Sequence, residues 1–178
     1  VETFIILLRG INVGGNNLIK MADLREIASD LGFENPRTLL QSGNLVVKAD
    51  SRRDVSTDLK RALLERLNLN VEVLLRTASE LAEIIQQNPF PEEASNDPSH
   101  LIVAFMLVPP SKDQVDQVQA AIAGPEKIKS FGNQVYVVYP IGIGDSKVAK
   151  TPGWNELMAS GTARNWNTIL KLEKLASH

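Results

Sequence analysis

Cysteine is absent from the 178 residues. That removes disulfides, thiol nucleophiles, cysteine-type zinc sites and iron–sulfur clusters. It fits a reducing compartment, and a cytoplasmic location is expected. Histidine is nearly absent. His100 stands beside a proline-rich stretch and His178 at the far end, and neither has a ligand-spaced partner. No transition-metal site is expected. No window approaches the roughly 20 apolar residues of a membrane span, so no membrane partner is expected. The opening "VETFIILLRG" carries an early Glu2, no basic n-region and no small-residue cleavage site. It reads as a strand and not as a signal peptide. An excess of one charge is also missing. The net charge of -2 excludes a broadly basic nucleic-acid coat, though not a local basic patch.

What is present is enough for a packed core, with 43% apolar residues. The length suits one larger domain or two compact halves. Residues 2–9 form a near-continuous apolar run, the pattern of a buried central strand. Leu24, Ile27, Ala28 and Leu31 then recur at helical spacing over 21–31, and Gly32 supplies the stop. "RTLLQSGNLVVKA" gives two short apolar runs around Ser42-Gly43, a hairpin pattern. Val55, Leu59, Leu63 and Leu67 predict a second helix over 54–67, and "VEVLLRT" a strand over 71–77. The first half reads βαββαβ.

The second half repeats the order without a residue-level repeat. Thr77 and Glu80 have capping-box spacing ahead of a helix over 78–88. "NPFPEEASNDPSH" shows little periodicity and reads as a connection. "LIVAFMLV", 101–108, is a second buried strand. Ser111 and Gln114 repeat the capping pattern before Val115, Val118 and Ile122, and Gly124-Pro125 ends that helix. "KIKSFGNQVYVVYP" is a hairpin turning at Gly132-Asn133. A glycine-rich loop, a short helix and a final helix near 165–176 complete the chain. The expected fold is α+β: two ferredoxin-like βαββαβ-type units with mainly antiparallel sheets, the second modified at its C-terminal end. The expected division is 1–77 and 78–178.

Strand direction adds a spatial expectation. If the first strand runs upward, the loop after it lies at the top. The helix descends and the next strand rises, so the "QSGN" turn is also at the top. By the same counting, "GIGDSK" and the start of "TARNWNT" share one end of the second sheet.

These polar loops hold the candidate ligand-binding residues. Gly10 to Lys20 is longer than the usual ~2–6 residues between strand and helix. Gly14 and Gly15 can expose backbone N–H groups beside a helix N-terminus. Arg9 offers a bidentate fork and Lys20 a mobile charge, while Asn12 and Asn16 offer neutral donors and acceptors. The spacing matches neither a P-loop nor G-x-G-x-x-G. Gln41 and Asn44 flank the first turn. Lys147 follows the second glycine loop, where Ser146 can donate a hydrogen bond. In "TARNWNT", Thr162 or Asn165 can cap the last helix, with Thr168 three residues after Asn165. Arg164 falls near that helix N-terminus, an unfavourable place for a cation without an anionic partner. Asn167 follows, and Trp166 either stacks on a base or sugar or, as the plainer reading, aligns with Ile169 and Leu170 as a core residue. Against each stands a plainer reading: asparagines in left-handed turns, Arg9 in an ion pair, lysines in solvent.

"LLRGINVGGNN-IKM", "QSGN", "GIGDSK" and "TARNWNT-LKL" together, in that order, resemble the DUF1697 family of bacterial proteins of unknown function. The resemblance runs from about Phe4 to Leu172. It implies an α+β fold with ferredoxin-like parts, and no reaction, substrate or cofactor. Asp145 occupies a slot that is often basic in the family ("GIGRSK"), which implies weaker anion binding at that point here.

The function expected from these residues is binding of a polar, anionic small molecule, nucleotide-like at its most specific. No cofactor is implied. An enzyme acting on a phosphate- or amide-containing substrate is the alternative. It needs a base, and Asp23 and Asp145 are the acids near the loops. Ser42 is not in a G-x-S-x-G elbow and has no visible base. Nucleic-acid binding through an open sheet face needs exposed strand aromatics, and Tyr136 and Tyr139 are the chief ones available. That reading is not favoured. The sequence carries no signal for an oligomeric state.

Overall fold

The computed structural model describes residues 1–178. The chain separates into two compact units, one made of 1–83 with 171–178 and the other of 84–170.

The first unit contains β1 (Glu2–Leu8), α1 (Met21–Asp30), β2 (Glu34–Leu39), β3 (Asn44–Ala49), α2 (Val55–Leu67) and β4 (Val73–Thr77), followed by α3 (Ala78–Gln86). Its sheet has the order β2-β3-β1-β4 with every pairing antiparallel. This is the ferredoxin-like arrangement. Phe4, Ile6 and Leu8 of β1 alternate onto one face with Leu45 and Val47 of β3, where Leu24 and Ile27 of α1 and Leu59 and Leu63 of α2 cover them. Ile5 and Leu7, on the other face, are buried as well. A strand buried on both faces needs a continuous apolar run and not an alternating one, which is what 2–8 supplies.

Helix ends follow their local chemistry. After α1, Gly32 takes φ +80 and the Phe33 N–H returns to the Ala28 carbonyl at 3.1 Å, so orphan carbonyls of the last turn are satisfied. The box at the start of α3 is complete. The Glu80 N–H donates to Thr77 Oγ1 at 3.1 Å, and the Thr77 N–H donates to Glu80 Oε2 at 2.7 Å. Thr77→Ala is expected to cost about 1 kcal/mol of unfolding free energy, read from the urea midpoint at unchanged slope. β2 lies at the margin of its sheet. Its register against β3 shifts between Glu34 and Arg37, with Asn35 at φ 51 and Pro36 next to it.

The second unit contains α4 (Pro91–Asn96), a 3-10 turn (Pro98–His100), β5 (Leu101–Met106), α5 (Lys112–Ala121), β6 (Lys127–Phe131), β7 (Gln134–Val138), a 3-10 turn (Val148–Lys150), α6 (Trp154–Met158) and β8 (Gly161–Asn165), which runs into α7 (Trp166–Ala176). The sheet order is β6-β7-β5-β8, again antiparallel. It repeats the order of the first sheet. Ile102, Ala104 and Met106 pack with Val135 and Val137 against Val115, Val118, Trp154 and Leu157.

Two elements differ from the sequence expectation. The connection 88–100 contains the short helix α4, opened by Pro91 at a first helical position, where a missing N–H costs nothing. None of its residues is buried, so it has no apolar stripe to detect. Residues 161–165, read as loop and helix start, are the fourth strand of the sheet. The buried positions of β8 are Thr162 and Arg164, which share the sheet face of Phe105 and Val103, while exposed Ala163 shares the face of Ala104 that the helices cover. The usual apolar-in, polar-out alternation is absent there, so no strand pattern can be seen. Ser111 caps α5 as expected, its side chain accepting the Gln114 N–H at 3.1 Å.

Candidate functional site

In the first unit the loop after β1 is a small finger and not a loose coil. Asn16 N–H donates to the Val13 carbonyl at 2.9 Å, and Gly14 and Gly15 between them take φ 57 and 77. Two successive left-handed residues make a turn that only glycine adopts freely. A Cβ at either glycine would meet nothing within 4 Å, so the fingertip stands open.

The base of the finger is held by Asn12. Its Oδ1 accepts the Ile19 N–H at 2.9 Å, and its Nδ2 donates to the Ile19 carbonyl at 3.1 Å and to the Gln41 carbonyl at 2.7 Å. The last bond joins the finger to the β2–β3 turn, 29 residues away along the chain. A second join is the Leu8 N–H on the Gly43 carbonyl at 2.9 Å. The two loops therefore share one sheet end, as strand counting predicts. Asn17 braces the finger further, donating from Nδ2 to the Gly10 carbonyl at 3.1 Å.

The candidate residues fall into two groups by exposure. Asn44 is fully buried and donates to the Leu39 carbonyl at 2.7 Å and to Ser42 Oγ at 3.0 Å. It and Asn12 shape the loops. Lys20, Gln41 and Asn16 are exposed and Arg9 is half-buried. The Arg9 and Lys20 side chains make no ion pair. A groove of about 430 Å³ runs along Asn12, Leu18, Ile19, Lys20, Asp23, Gln41 and Leu67. Asp23 is its one acid, placed in the first turn of α1, where a carboxylate complements the helix dipole. Arg9 does not line this groove.

In the second unit the registers Leu101↔Val138 and Ile102↔Asn165 bring the ends of β7 and β8 to one end of the sheet. The "GIGDSK" loop leaves from the first and α7 from the second. Of the two capping candidates it is Asn165 that caps α7, its Oδ1 accepting the Thr168 N–H at 2.9 Å. Asn167 is exposed and Trp166 is a core residue, 5% exposed. Arg164 precedes the cap as part of β8, on the sheet face of Val103, and is 8% exposed. Its Nη1 donates to Thr162 Oγ1 at 2.8 Å and to the Ala163 carbonyl at 2.9 Å. Burial brings its guanidinium down to about 10, because a low-dielectric site disfavours the charged form. Arg164 thus lies on β8, immediately before the Asn165 cap of α7, with the oxygens of Thr162 and Ala163 on its Nη1.

Lys147 is exposed and lines a cavity of about 550 Å³ with Lys150, Asp145, Val148, Pro125 and Glu126. Glu126 went unremarked in the sequence, where it follows the Gly124-Pro125 helix stop and resembles any solvated acid. It is 3% exposed, and its Oε1 accepts the Ser146 hydroxyl at 2.6 Å. Neither Asp23 nor Asp145 shares its hollow with an arginine. Tyr136 is fully buried and its hydroxyl donates to the Ile84 carbonyl at 2.6 Å, so it offers no stacking face. No group of three His, Cys, Asp or Glu side chains is placed to hold a metal ion. No helix is long and apolar enough to cross a membrane.

Comparison with known proteins agrees with this architecture. The family model described as "Protein of unknown function (DUF1697)" matches residues 1–136. The chain belongs to the DUF1697 family. The DUF1697 match includes the finger and the "QSGN" turn, and it ends within β7, before "GIGDSK" and "TARNWNT". No curated protein matches the chain. Among solved structures, the conserved bacterial protein SP0830 from Streptococcus pneumoniae is similar at 22% identity, with a TM-score of 0.74 over 98% of each chain. At that identity the likeness speaks to the fold.

Proposed function

We propose that the protein binds a polar, anionic small molecule, nucleotide-like at its most specific, at the loop end of the first sheet. The observation that carries this reading is the 2.7 Å bond from Asn12 to the Gln41 carbonyl. It fixes two loops against each other and leaves the Lys20 and Gln41 side chains exposed along one groove. Lys20 supplies charge, and it occupies the N-cap position of α1 without a side-chain cap bond. An anion there meets unsatisfied helix N–H groups as well as the ammonium. Gln41 orients the ligand, Asn16 and the open glycines of the finger stand beside the groove, and Arg9, outside its lining, adds positive charge at longer range. Asp23 directs the anion toward the Lys20 side of the groove.

Inorganic phosphate, ADP and citrate serve as probes in thermal-shift and calorimetric titrations. At least one is expected to raise the melting midpoint. Lys20→Ala is expected to weaken that probe by about 10-fold, the loss of one charge-assisted hydrogen bond, and Arg9→Ala, outside the groove lining, to weaken it by less. Lys129→Ala, in the other unit, leaves it unchanged. Silence from all three probes, or wild-type binding by Lys20→Ala, defeats the reading.

A further inference from the structure

The cavity in the second unit has its own chemistry, independent of the groove just described. A carboxylate removed from water is costly unless a cation or several hydrogen bonds replace the lost hydration. Glu126 is 3% exposed, takes one side-chain hydrogen bond, from Ser146, and makes no ion pair. It nevertheless lines a cavity of about 550 Å³. Its negative field reaches Tyr139, whose phenol is held above its ordinary value first by burial and then by Glu126.

Two cations, Lys147 and Lys150, line the same cavity. Both are exposed, and neither is ion-paired. Asp145 is the one other acid on the lining and is exposed. The remaining wall is largely apolar, with Ile122, Pro125, Ile141, Val148 and Pro152. So the acid is buried, the lysines lie at the solvent side, and aliphatic surface lies around them.

The backbone makes room for this placement at Gly124. A Cβ there would lie 2.3 Å from Glu126 Oε2. The carboxylate therefore rests over a position only glycine leaves empty. Ser146 holds the other oxygen, and the same hydroxyl accepts the Val148 N–H at 3.2 Å. The "GIGDSK" loop thereby aims Glu126 as well as presenting Lys147.

We propose that this cavity binds a small zwitterion, an α-amino acid or dipeptide with an aliphatic side chain. Its ammonium replaces the missing counter-charge of Glu126, its carboxylate meets Lys147 or Lys150, and its side chain covers the apolar wall. A simple anion satisfies the lysines and leaves Glu126 bare. A simple amine satisfies Glu126 and leaves the lysines in water.

The test is a chemical-shift titration of the intact chain with four probes at millimolar concentration: L-leucine, L-leucyl-L-leucine, isoamylamine and 4-methylvalerate. One or both zwitterions are expected to move the amide signals of 122–126 and 146–150, isoamylamine to move them more weakly, and 4-methylvalerate not to move them. Glu126→Gln keeps the side-chain shape and is expected to weaken the zwitterion by about 10-fold or more. Gly124→Ala displaces the carboxylate without altering its charge and is expected to weaken binding to a similar degree. Its φ is not left-handed and the atom it meets ends a flexible side chain, so this variant keeps the test alive if Glu126→Gln fails to fold. The proposal is overturned if neither zwitterion moves these signals, if 4-methylvalerate binds as well as L-leucine, or if a folded variant of either kind binds as wild type. None of these outcomes depends on the phosphate titrations of the first unit.

Discussion

Gly43→Ala is expected to destabilise the first unit by about 3 kcal/mol, through two additive causes. The residue takes φ +86, where any side chain strains the backbone by about 1–2 kcal/mol. The added Cβ would also lie 2.6 Å from Ile11 Cδ1 and 2.9 Å from Leu8 Cβ. Ile11 can swing aside at its tip. Leu8 cannot, because its Cβ is fixed to β1 and its N–H is bonded to the carbonyl of Gly43 itself. Relief therefore requires opening the join between β1 and the turn, and overpacking of this kind costs about 1–3 kcal/mol. The control is Gly15→Ala. Gly15 has nearly the same backbone, φ 77, with nothing within 4 Å of its Cβ position. It is expected to lose only the backbone contribution, about 1 kcal/mol. Equal urea midpoints for the two variants would show that the contact with Leu8 carries no cost.

Asn12→Ala is expected to cost about 2 kcal/mol and to detach the finger from the β2–β3 turn. Three hydrogen bonds are lost, each worth about 0.5–1.5 kcal/mol net, and water replaces some of them at this half-exposed site. The residue also takes φ 54, which asparagine tolerates better than alanine. Asn12→Gly separates the two effects. It removes the strain and all three bonds, so it is expected to fall between wild type and alanine. Asn12→Asp keeps an acceptor for the Ile19 N–H and places a carboxylate against two carbonyls, so it is expected to be no better than alanine. Amide hydrogen exchange at Ile19 reads the detachment directly. Protection at Ile19 that survives in the alanine variant would mean that Asn12 is not what closes the loop.

These two residues show what the sequence made visible. Gly43 was legible as a turn, and strand counting placed that turn beside the finger. The reason is general: antiparallel strands of regular length leave little choice about which end a loop occupies. Which asparagine faces solvent was not legible. Asn12, Asn16 and Asn44 have the same donors and acceptors, and burial alone makes Asn44 a brace and leaves Asn16 exposed. β8 was hidden because its buried residues, Thr162 and Arg164, are polar. Glu126 was hidden for a related reason. A burying environment built from Gly124, Ser146 and the loop at 141–152 is assembled from segments 20 residues apart, and no local pattern announces it.

The interruption in β2 has a consequence for the protein's behaviour in a crowded solution. A marginal strand with regular pairing presents a row of free N–H and C=O groups to any passing chain. Here Pro36 has no N–H to offer, and the left-handed Asn35 beside it bends the row out of line. A foreign strand finds no unbroken ladder there to extend. The same kink that spoils the register of one hairpin thus guards its sheet against edge-to-edge aggregation.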